Sequence, residues 1–157
     1  MIYLDTNAFY LFFFEDKKFS PGIKKVLKRI QEGEEQGLTN CLTFDELAYA
    51  IVMDLIEQKY RMHPSQKIRE TPEVILEFLP RIKEVFETIL SFENIEIAEA
   101  SKETVAVIPQ LMEKLLLPRD CIHYQTMRDY GCRKILSTDT DFDKLEDIER
   151  IRPEEVR

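Results

Sequence analysis

The chain has 157 residues, of which 44% are hydrophobic and 33% are charged, and its formal net charge is −8 at pH 7. These values predict one soluble globular domain that buries a sizeable core. They exclude a membrane-spanning protein, since no run approaches the ~20 apolar residues that a span needs. The negative charge also argues against nucleic-acid binding by the whole surface.

The cysteine content and the amino terminus predict a cytoplasmic protein. The three cysteines, Cys41, Cys121 and Cys132, form no CxxC pair. We therefore expect free thiols in a reducing compartment, and neither a disulfide framework nor a zinc site. The amino terminus has no basic region, and Asp5 interrupts its apolar start, so we expect no signal peptide.

The first predicted element is a short buried strand at residues 1–4 that ends in a carboxylate. Asp5 follows it, and two small polar residues, Thr6 and Asn7, come next. Such a strand delivers a charge to the carboxyl end of a sheet, where open α/β sheets bind their ligands. The following segment, 8–14, is apolar on nearly all sides of a helix, which favours core packing over a partner interface.

Short apolar runs then alternate with longer segments of helical periodicity. The predicted strands cover residues 1–4, 38–42, 95–97, 134–136 and 148–151. The predicted helices cover residues 8–14, 20–33, 43–56, 71–91, 101–116 and 119–130. This alternation predicts an α/β fold with a parallel sheet and helices on both of its faces.

Proline, glycine and capping residues predict several boundaries. Ser20 fits a helix N-cap, with Pro21 at the first helical position. Residues 61–70 are polar and predict a loop. Pro80 must kink or break its helix, because it removes a backbone donor and clashes with the preceding turn. Gly131 fits the C-cap of the helix before it.

Carboxylates recur just after predicted strands or in the opening turns of helices. They are Asp5, Glu46, Asp120, Asp139 and Asp141. In a parallel sheet, at least the acids at strand ends fall on one edge. Each acid except Asp5 also has a local explanation, namely a capping box from Thr43 to Glu46, a helix start, or a turn. A buried strand end is a poor place for an unpartnered charge, so Asp5 is the hardest to explain locally.

Convergence of these acids would require a cation or protonation. Two charges ~4 Å apart repel by about 4 kcal/mol at an effective dielectric near 20, against a total stability of ~5–15 kcal/mol. Oxygen ligands without a cysteine or histidine pair favour Mg²⁺ or Mn²⁺ over zinc. Such a site activates water for attack on a phosphodiester. A calcium loop at residues 139–150 is excluded, because Lys144 occupies its glycine position.

The ordered set of motifs resembles the PIN-domain family of metal-dependent ribonucleases, and within it the VapC-like toxins. The matching parts are residues 2–7, Glu46, residues 119–124 leading to Gly131, and residues 135–142. The resemblance implies a PIN-like, three-layer α/β/α sandwich with a Rossmann-like parallel sheet. We expect residues 1–157 to form a single PIN-like domain with a helical insertion around 61–92.

The resemblance also implies roles for individual residues. Asp5 and Asp120 would bind Mg²⁺ or Mn²⁺ directly, and Glu46 and Asp139 would complete the catalytic set. Asp141 would share or replace the role of Asp139, so the implied metal ligands are Asp5, Asp120, Asp139 and Asp141. The candidate substrate-binding residues beside these acids are Thr6, Asn7 and Arg119. His123 lies on the helix face of Asp120, where a packing role is favoured over one in the site.

The leading hypothesis is a metal-dependent endoribonuclease that cleaves RNA with a metal-activated water and serves as the toxin of a toxin–antitoxin pair. It implies RNA as substrate, an antitoxin protein as partner, and a homodimer. The alternative is a non-catalytic PIN-like RNA-binding or protein-interaction module, which the low basicity and the apolar segment 9–14 favour. A phosphatase ranks lower, because Asn7 stands where its second acid would be needed.

Overall fold

A computed structural model describes residues 1–156, and its centre is a five-stranded sheet. The strands are Ile2–Leu4 (β1), Gly37–Asn40 (β2), Ile95–Ala98 (β3), Lys134–Leu136 (β4) and Glu149–Ile151 (β5). Their order is β3-β2-β1-β4-β5, and all neighbouring strands are parallel. The winding direction reverses between β1 and β4, and open α/β sheets bind their ligands outside the carboxyl ends of strands at such a point.

Helices occupy most of the remaining described chain. The α-helices are Thr6–Phe13 (α1), Ser20–Gln31 (α2), Cys41–Tyr60 (α3), Pro64–Glu70 (α4), Leu79–Leu90 (α5), Lys102–Ala106 (α6), Ile108–Leu111 (α7) and Pro118–Asp129 (α8). Short 3₁₀ helices cover Pro72–Phe78, Met112–Lys114, Thr140–Lys144 and Pro153–Glu155. The predicted α/β fold with a parallel sheet is confirmed. None of the helices in residues 1–156 has the length and apolar character that crossing a membrane requires.

The chain forms two compact units. The sheet unit comprises Met1–Thr43 and the described residues from Glu93 onward, and the helical unit comprises Phe44–Phe92. The sheet unit has a core in which Tyr3, Ile135 and Phe142 are almost completely buried. The helical unit has a smaller core, formed by Val52, Ile56, Val74 and Phe78. The single domain with an insertion around 61–92 stays a prediction.

Of two predictions that involve a proline, one is wrong and one is confirmed. The predicted loop at 61–70 is wrong, because Pro64 begins helix α4. Proline suits the first position of a helix, where its missing N–H has no partner to lose. The predicted break at Pro80 is confirmed, since a 3₁₀ helix ends at Phe78 and α5 starts at Leu79, with Pro80 in its first turn.

Two capping residues had opposite outcomes. Ser20 is not an N-cap: it is the first helical residue of α2, and its hydroxyl donates to the Leu11 carbonyl oxygen at 2.5 Å. Gly131 ends α8 as expected, with a left-handed φ of 63°. The Cys132 N–H then donates to the Met127 carbonyl oxygen at 2.8 Å, which satisfies an orphan carbonyl of the last turn.

All three cysteines are free thiols in the structure. Cys121 and Cys132 are buried and Cys41 is exposed.

Candidate metal centre

The first acid of the candidate site is fixed at the end of β1. Asp5 is only 6% exposed. Its Oδ1 accepts a hydrogen bond from the Thr6 N–H at 2.8 Å, which caps α1. Its Oδ2 accepts from Ser137 Oγ at 2.5 Å and from Asn7 Nδ2 at 3.3 Å. These bonds hold the buried carboxylate in one orientation.

The residues after β4 form a turn that presents two more acids. Leu4 pairs with Leu136 across the two strands, so Ser137 emerges beside Asp5. The Ser137 hydroxyl, which is fully buried, also accepts from the Asp139 N–H at 2.9 Å. Asp139 Oδ1 in turn accepts from the Asp141 N–H at 2.8 Å and caps the 3₁₀ helix Thr140–Lys144. One hydroxyl therefore links Asp5 to the turn that carries Asp139 and Asp141.

Asp120 arrives from helix α8, whose position depends on two buried hydrogen bonds. The Tyr3 hydroxyl bonds His123 Nδ1 at 2.7 Å, and Asn40 Nδ2 donates to Thr126 Oγ1 at 2.7 Å. These bonds attach α8 to β1 and to the end of β2. Asp120 lies in the first turn of this anchored helix. Its placement is therefore determined by sheet contacts and does not depend on a flexible loop.

Three carboxylates converge at this edge of the sheet. Asp120, Asp139 and Asp141 each offer one oxygen atom, and these atoms lie within 4.8 Å of one another. Burial raises the pKa of the Asp120 carboxyl above its ordinary value, and the charges of Asp139 and, more weakly, Asp5 raise it further. This is the electrostatic situation that a divalent cation relieves.

The chemistry of these ligands fits Mg²⁺ or Mn²⁺. Two oxygens bound at about 2.1 Å to one Mg²⁺ lie at most about 4.2 Å apart, so small side-chain rotations bring the three acids into range. All three donors are hard oxygens, which suit these ions. The neighbouring His123 is buried and bonded to Tyr3, as the packing interpretation predicted. Lys144 Nζ lies 2.8 Å from Asp141 Oδ1. A bound metal ion must therefore displace Lys144 from Asp141 or share the Asp141 carboxylate with it.

Glu46 is half-buried in the second turn of α3, within the helical unit. Because α3 begins at Cys41, Thr43 is inside the helix, and the capping-box explanation for Glu46 is wrong. Asn40 supplies the cap instead, with its Oδ1 accepting from the Leu42 N–H at 2.9 Å. The catalytic role of Glu46 stays a prediction.

The candidate substrate-binding residues flank the acids. Thr6 and Asn7 are half-buried next to Asp5, and Arg119 is exposed next to Asp120. Their contact with RNA stays a prediction. The local explanation for Asp139, a role in a turn, is confirmed, because Asp139 caps the 3₁₀ helix Thr140–Lys144. Its carboxylate nevertheless also belongs to the acid cluster.

Two residues near the site were not found from the sequence. Ser137 joins Asp5 to Asp139, and its only signal was a hydroxyl directly after a predicted strand. Arg150 donates to the Ser137 carbonyl oxygen at 3.2 Å and pairs with Asp143. No sequence signal identifies Arg150, because its partners depend on the pairing of β5 with β4.

The fold and the acid cluster define an α/β protein with a candidate divalent-metal centre at a topological switch point. The PIN domain model of known families matches residues 2–148. The chain therefore belongs to the PIN domain family. No curated protein matches it.

Solved structures share the fold over nearly the whole chain. The sarcin-ricin loop cleaving toxin VapC20 of Mycobacterium tuberculosis is 12% identical with a TM-score of 0.63, over 98% of this chain and 100% of that one. A toxin–antitoxin complex from Klebsiella pneumoniae is 16% identical with a TM-score of 0.60, over 98% of each chain. VapBC2 from Rickettsia felis, bound to a promoter DNA fragment, is 13% identical with a TM-score of 0.59, over 96% and 98%. At these identities the likeness shows the fold alone.

Proposed function

We propose that this chain is a metal-dependent endoribonuclease that serves as the toxin of a toxin–antitoxin pair. The convergence of the Asp120, Asp139 and Asp141 carboxylates at the switch point of the sheet carries the proposal. Membership of the PIN domain family and the likeness to toxin structures support it. The substrate is RNA, and the site of action is the cytoplasm.

The residues of the site have distinct tasks in this reaction. Asp120, Asp139 and Asp141 would hold Mg²⁺ or Mn²⁺, and Asp5, which this group of three does not include, is the fourth proposed ligand. The bound ion supplies Lewis-acid chemistry, in that it lowers the pKa of water and neutralises charge on the phosphate. Asp5 is held in one orientation by its bonds to Thr6 and Ser137.

The exposed Arg119 and the polar residues Thr6 and Asn7 hold the phosphate group beside the acids. Arg119 suits this task because a guanidinium can donate two parallel hydrogen bonds to phosphate oxygens. Asp139 and Glu46 are the candidates for accepting a proton from the attacking water. The assignment of Glu46 depends on the family resemblance, and a Glu46→Gln variant with normal RNA cleavage would remove it.

Cleavage of RNA in the presence of Mn²⁺ tests the enzymatic proposal. Asp120→Asn and Asp5→Asn remove a ligand charge at nearly constant shape, and each should lower the rate on the order of 100-fold. Asp129→Asn is the matched control. Asp129 is an exposed acid at the end of the same helix as Asp120, and its carboxylate accepts a local hydrogen bond from Gln125. Equal cleavage by the wild type, Asp120→Asn and Asp5→Asn would contradict the proposal.

An antitoxin protein and a second copy of the chain are the proposed partners. The antitoxin is tested by co-expression with the product of a neighbouring small reading frame, which should bind the chain and inhibit cleavage. The homodimer would use α1 and its end, where residues 10–14 remain partly exposed. A monomer mass in light scattering at micromolar concentration would contradict the dimer.

One observation favours a non-catalytic RNA-binding or protein-interaction module. Lys144 already pairs with Asp141 at 2.8 Å, which neutralises part of the acid cluster without a metal ion. A module of this kind should bind RNA equally with Mn²⁺ or with EDTA and leave it intact. Metal-dependent cleavage that disappears in Asp120→Asn would exclude it.

A further inference from the structure

Arg150 is a nearly buried cation that connects two points of the chain. It lies on β5 opposite Ile135 of β4, and its side chain is 5% exposed. Its Nε and Nη2 donate to the two Asp143 carboxylate oxygens at 2.8 and 2.7 Å. Its Nη1 donates to the Ser137 carbonyl oxygen at 3.2 Å. The guanidinium therefore bonds both ends of the segment 137–143.

The segment between these two points carries the acids of the site. Asp139 and Asp141 lie within it and share the cluster with Asp120. The bonds among Ser137, Asp139 and Asp141 shape the segment internally. They do not, however, attach its far end to the sheet. The fork from Arg150 to Asp143 supplies that polar attachment.

Apolar packing provides the other anchor of the segment. Phe142 is 1% exposed and belongs to the core of the sheet unit. The burial of Phe142 holds the segment against the core, but it does not fix the orientation of the segment, because hydrophobic contacts are non-directional. A two-point guanidinium–carboxylate contact adds directional specificity. The two anchors together fix how the turn faces α8.

We propose that Arg150 is a positioning residue for the metal centre, holding the segment 137–143 so that Asp139 and Asp141 face Asp120. This inference depends on the proposed function, since it assumes that the acids bind a divalent ion. Arg150 touches neither the ion nor the substrate. It acts through the Ser137 carbonyl and the Asp143 carboxylate.

Electrostatics and positioning predict effects of opposite sign on metal affinity. A cation near the acids repels a divalent ion. The pKa of the Arg150 guanidinium is raised mainly by Asp143, and more weakly by the charges of Glu154 and Asp139. Removing the charge of Arg150 would therefore tighten metal binding if charge alone mattered. Losing the clamp would weaken it, because outer residues that orient metal ligands commonly change affinity by about 10–100-fold.

Three variants separate these effects. Arg150→Met removes both the charge and the clamp. Arg150→Lys keeps the charge and loses the two-point fork. Arg152→Met is the matched control, because Arg152 is a more exposed cation that lies 3.9 Å from the same Asp143 carboxylate and instead bonds Glu155.

Mn²⁺ affinity of the full chain, measured by the loss of the free-ion electron paramagnetic resonance signal, is the readout. We expect about tenfold weaker binding for Arg150→Met, a smaller loss for Arg150→Lys, and a change of less than about twofold for Arg152→Met. Far-ultraviolet circular dichroism should show that all three variants are folded at the temperature of the titration.

Two failures are distinguishable. Mn²⁺ binding by the wild type with equal or tighter binding by both Arg150 variants would overturn the positioning role and leave the proposed function intact. Absence of Mn²⁺ binding by the wild type would overturn the proposed function, and this inference with it.

Discussion

The sheet unit and the helical unit are built on different principles. The sheet unit places the clustered acids Asp120, Asp139 and Asp141 on a frame of strand register and buried hydrogen bonds. The helical unit has a smaller apolar core, formed by Val52, Ile56, Val74 and Phe78. Strongly exposed large apolar side chains occur in both units, for example Leu76 at 65% in the helical unit and Leu115 at 76% in the sheet unit. The difference in core size predicts that the helical unit tolerates more substitutions, whereas the proposed metal site depends on the sheet unit.

Polar groups reinforce this difference. No buried side-chain nitrogen or oxygen atom among residues 1–156 lacks a hydrogen-bond partner. Near the acids these partners are directional and shared, as with the Ser137 hydroxyl that serves both Asp5 and Asp139. Removing one partner of such a network leaves the other groups unsatisfied. The site should therefore be sensitive to changes that do not touch the acids themselves.

The largest expected effect is on stability. Phe142→Ala truncates a side chain that is 1% exposed in the core of the sheet unit, and should lower the free energy of unfolding by ~3–5 kcal/mol. Leu76→Ala changes a side chain that is 65% exposed in the helical unit, and should cost less than about 0.5 kcal/mol. Urea denaturation measures both. Similar losses from the two variants would contradict the difference in burial between these two side chains.

The next largest effects are the losses of RNA cleavage expected when Asp139 and Asp141 are replaced one at a time. Asp139 caps the turn and also offers an oxygen to the cluster, whereas Asp141 is shared with Lys144. Asp139→Asn should therefore lower cleavage on the order of 100-fold and Asp141→Asn about tenfold. Rates at saturating RNA and Mn²⁺ decide between them. A larger loss for Asp141→Asn would assign to Asp141 the role that is proposed for Asp139.

Binding of Mn²⁺ should stabilise the protein by mass action. At about 100 times the dissociation constant the gain is ~2.7 kcal/mol, which raises Tm by about 5–10 °C for a chain of this size. Hydrogen exchange should locate the added protection at residues 137–144 and at the start of α8. An unchanged melting temperature at millimolar Mn²⁺, or equal added protection in α4, would contradict this expectation.

The smallest expected effect is the pH dependence of the metal-free protein. The pKa of Asp120 is raised in the folded chain, so between the ordinary value of 3.8 and the raised value the folded state binds more protons than the unfolded state. Its contribution to stability therefore falls as pH rises through that window. Asp120→Asn removes this penalty, so the metal-free variant should be more stable than the metal-free wild type at pH 7.

Urea denaturation with EDTA at pH 4 and pH 7 measures this difference between the wild type and Asp120→Asn. The advantage of the variant should grow with pH. A wild type that gains on the variant as pH rises would show that Asp120 is stabilised in its charged form without a metal ion.

The sequence was most informative where local chemistry decides the structure. The strand Lys134–Leu136, the cap at Gly131 and the break at Pro80 follow from apolar runs and backbone restrictions, and all three are present. The recurrence of acids after strands and in opening helix turns predicted a site of Asp5, Glu46, Asp120, Asp139 and Asp141, and of these Asp120, Asp139 and Asp141 converge. A hydrophobic period of two or 3.6 residues, together with the alternation of predicted strands and helices, is enough to predict these features.

Features that depend on tertiary contacts were missed. The polar composition of 61–70 predicted a loop, yet the segment from Pro64 onward forms a helix. Ser20 fits a cap by type, but its hydroxyl bonds the Leu11 carbonyl oxygen instead. The clamp of Arg150 on Asp143 requires the β4–β5 register, which no local pattern encodes.

The central claim is that the acids at the switch point hold a divalent ion, and anomalous X-ray scattering from crystals soaked in Mn²⁺ tests it most directly. We expect a manganese peak roughly 2.0–2.2 Å from carboxylate oxygens of Asp120, Asp139 and Asp141. A crystal soaked in saturating Mn²⁺ that shows no peak among these three side chains would contradict the account.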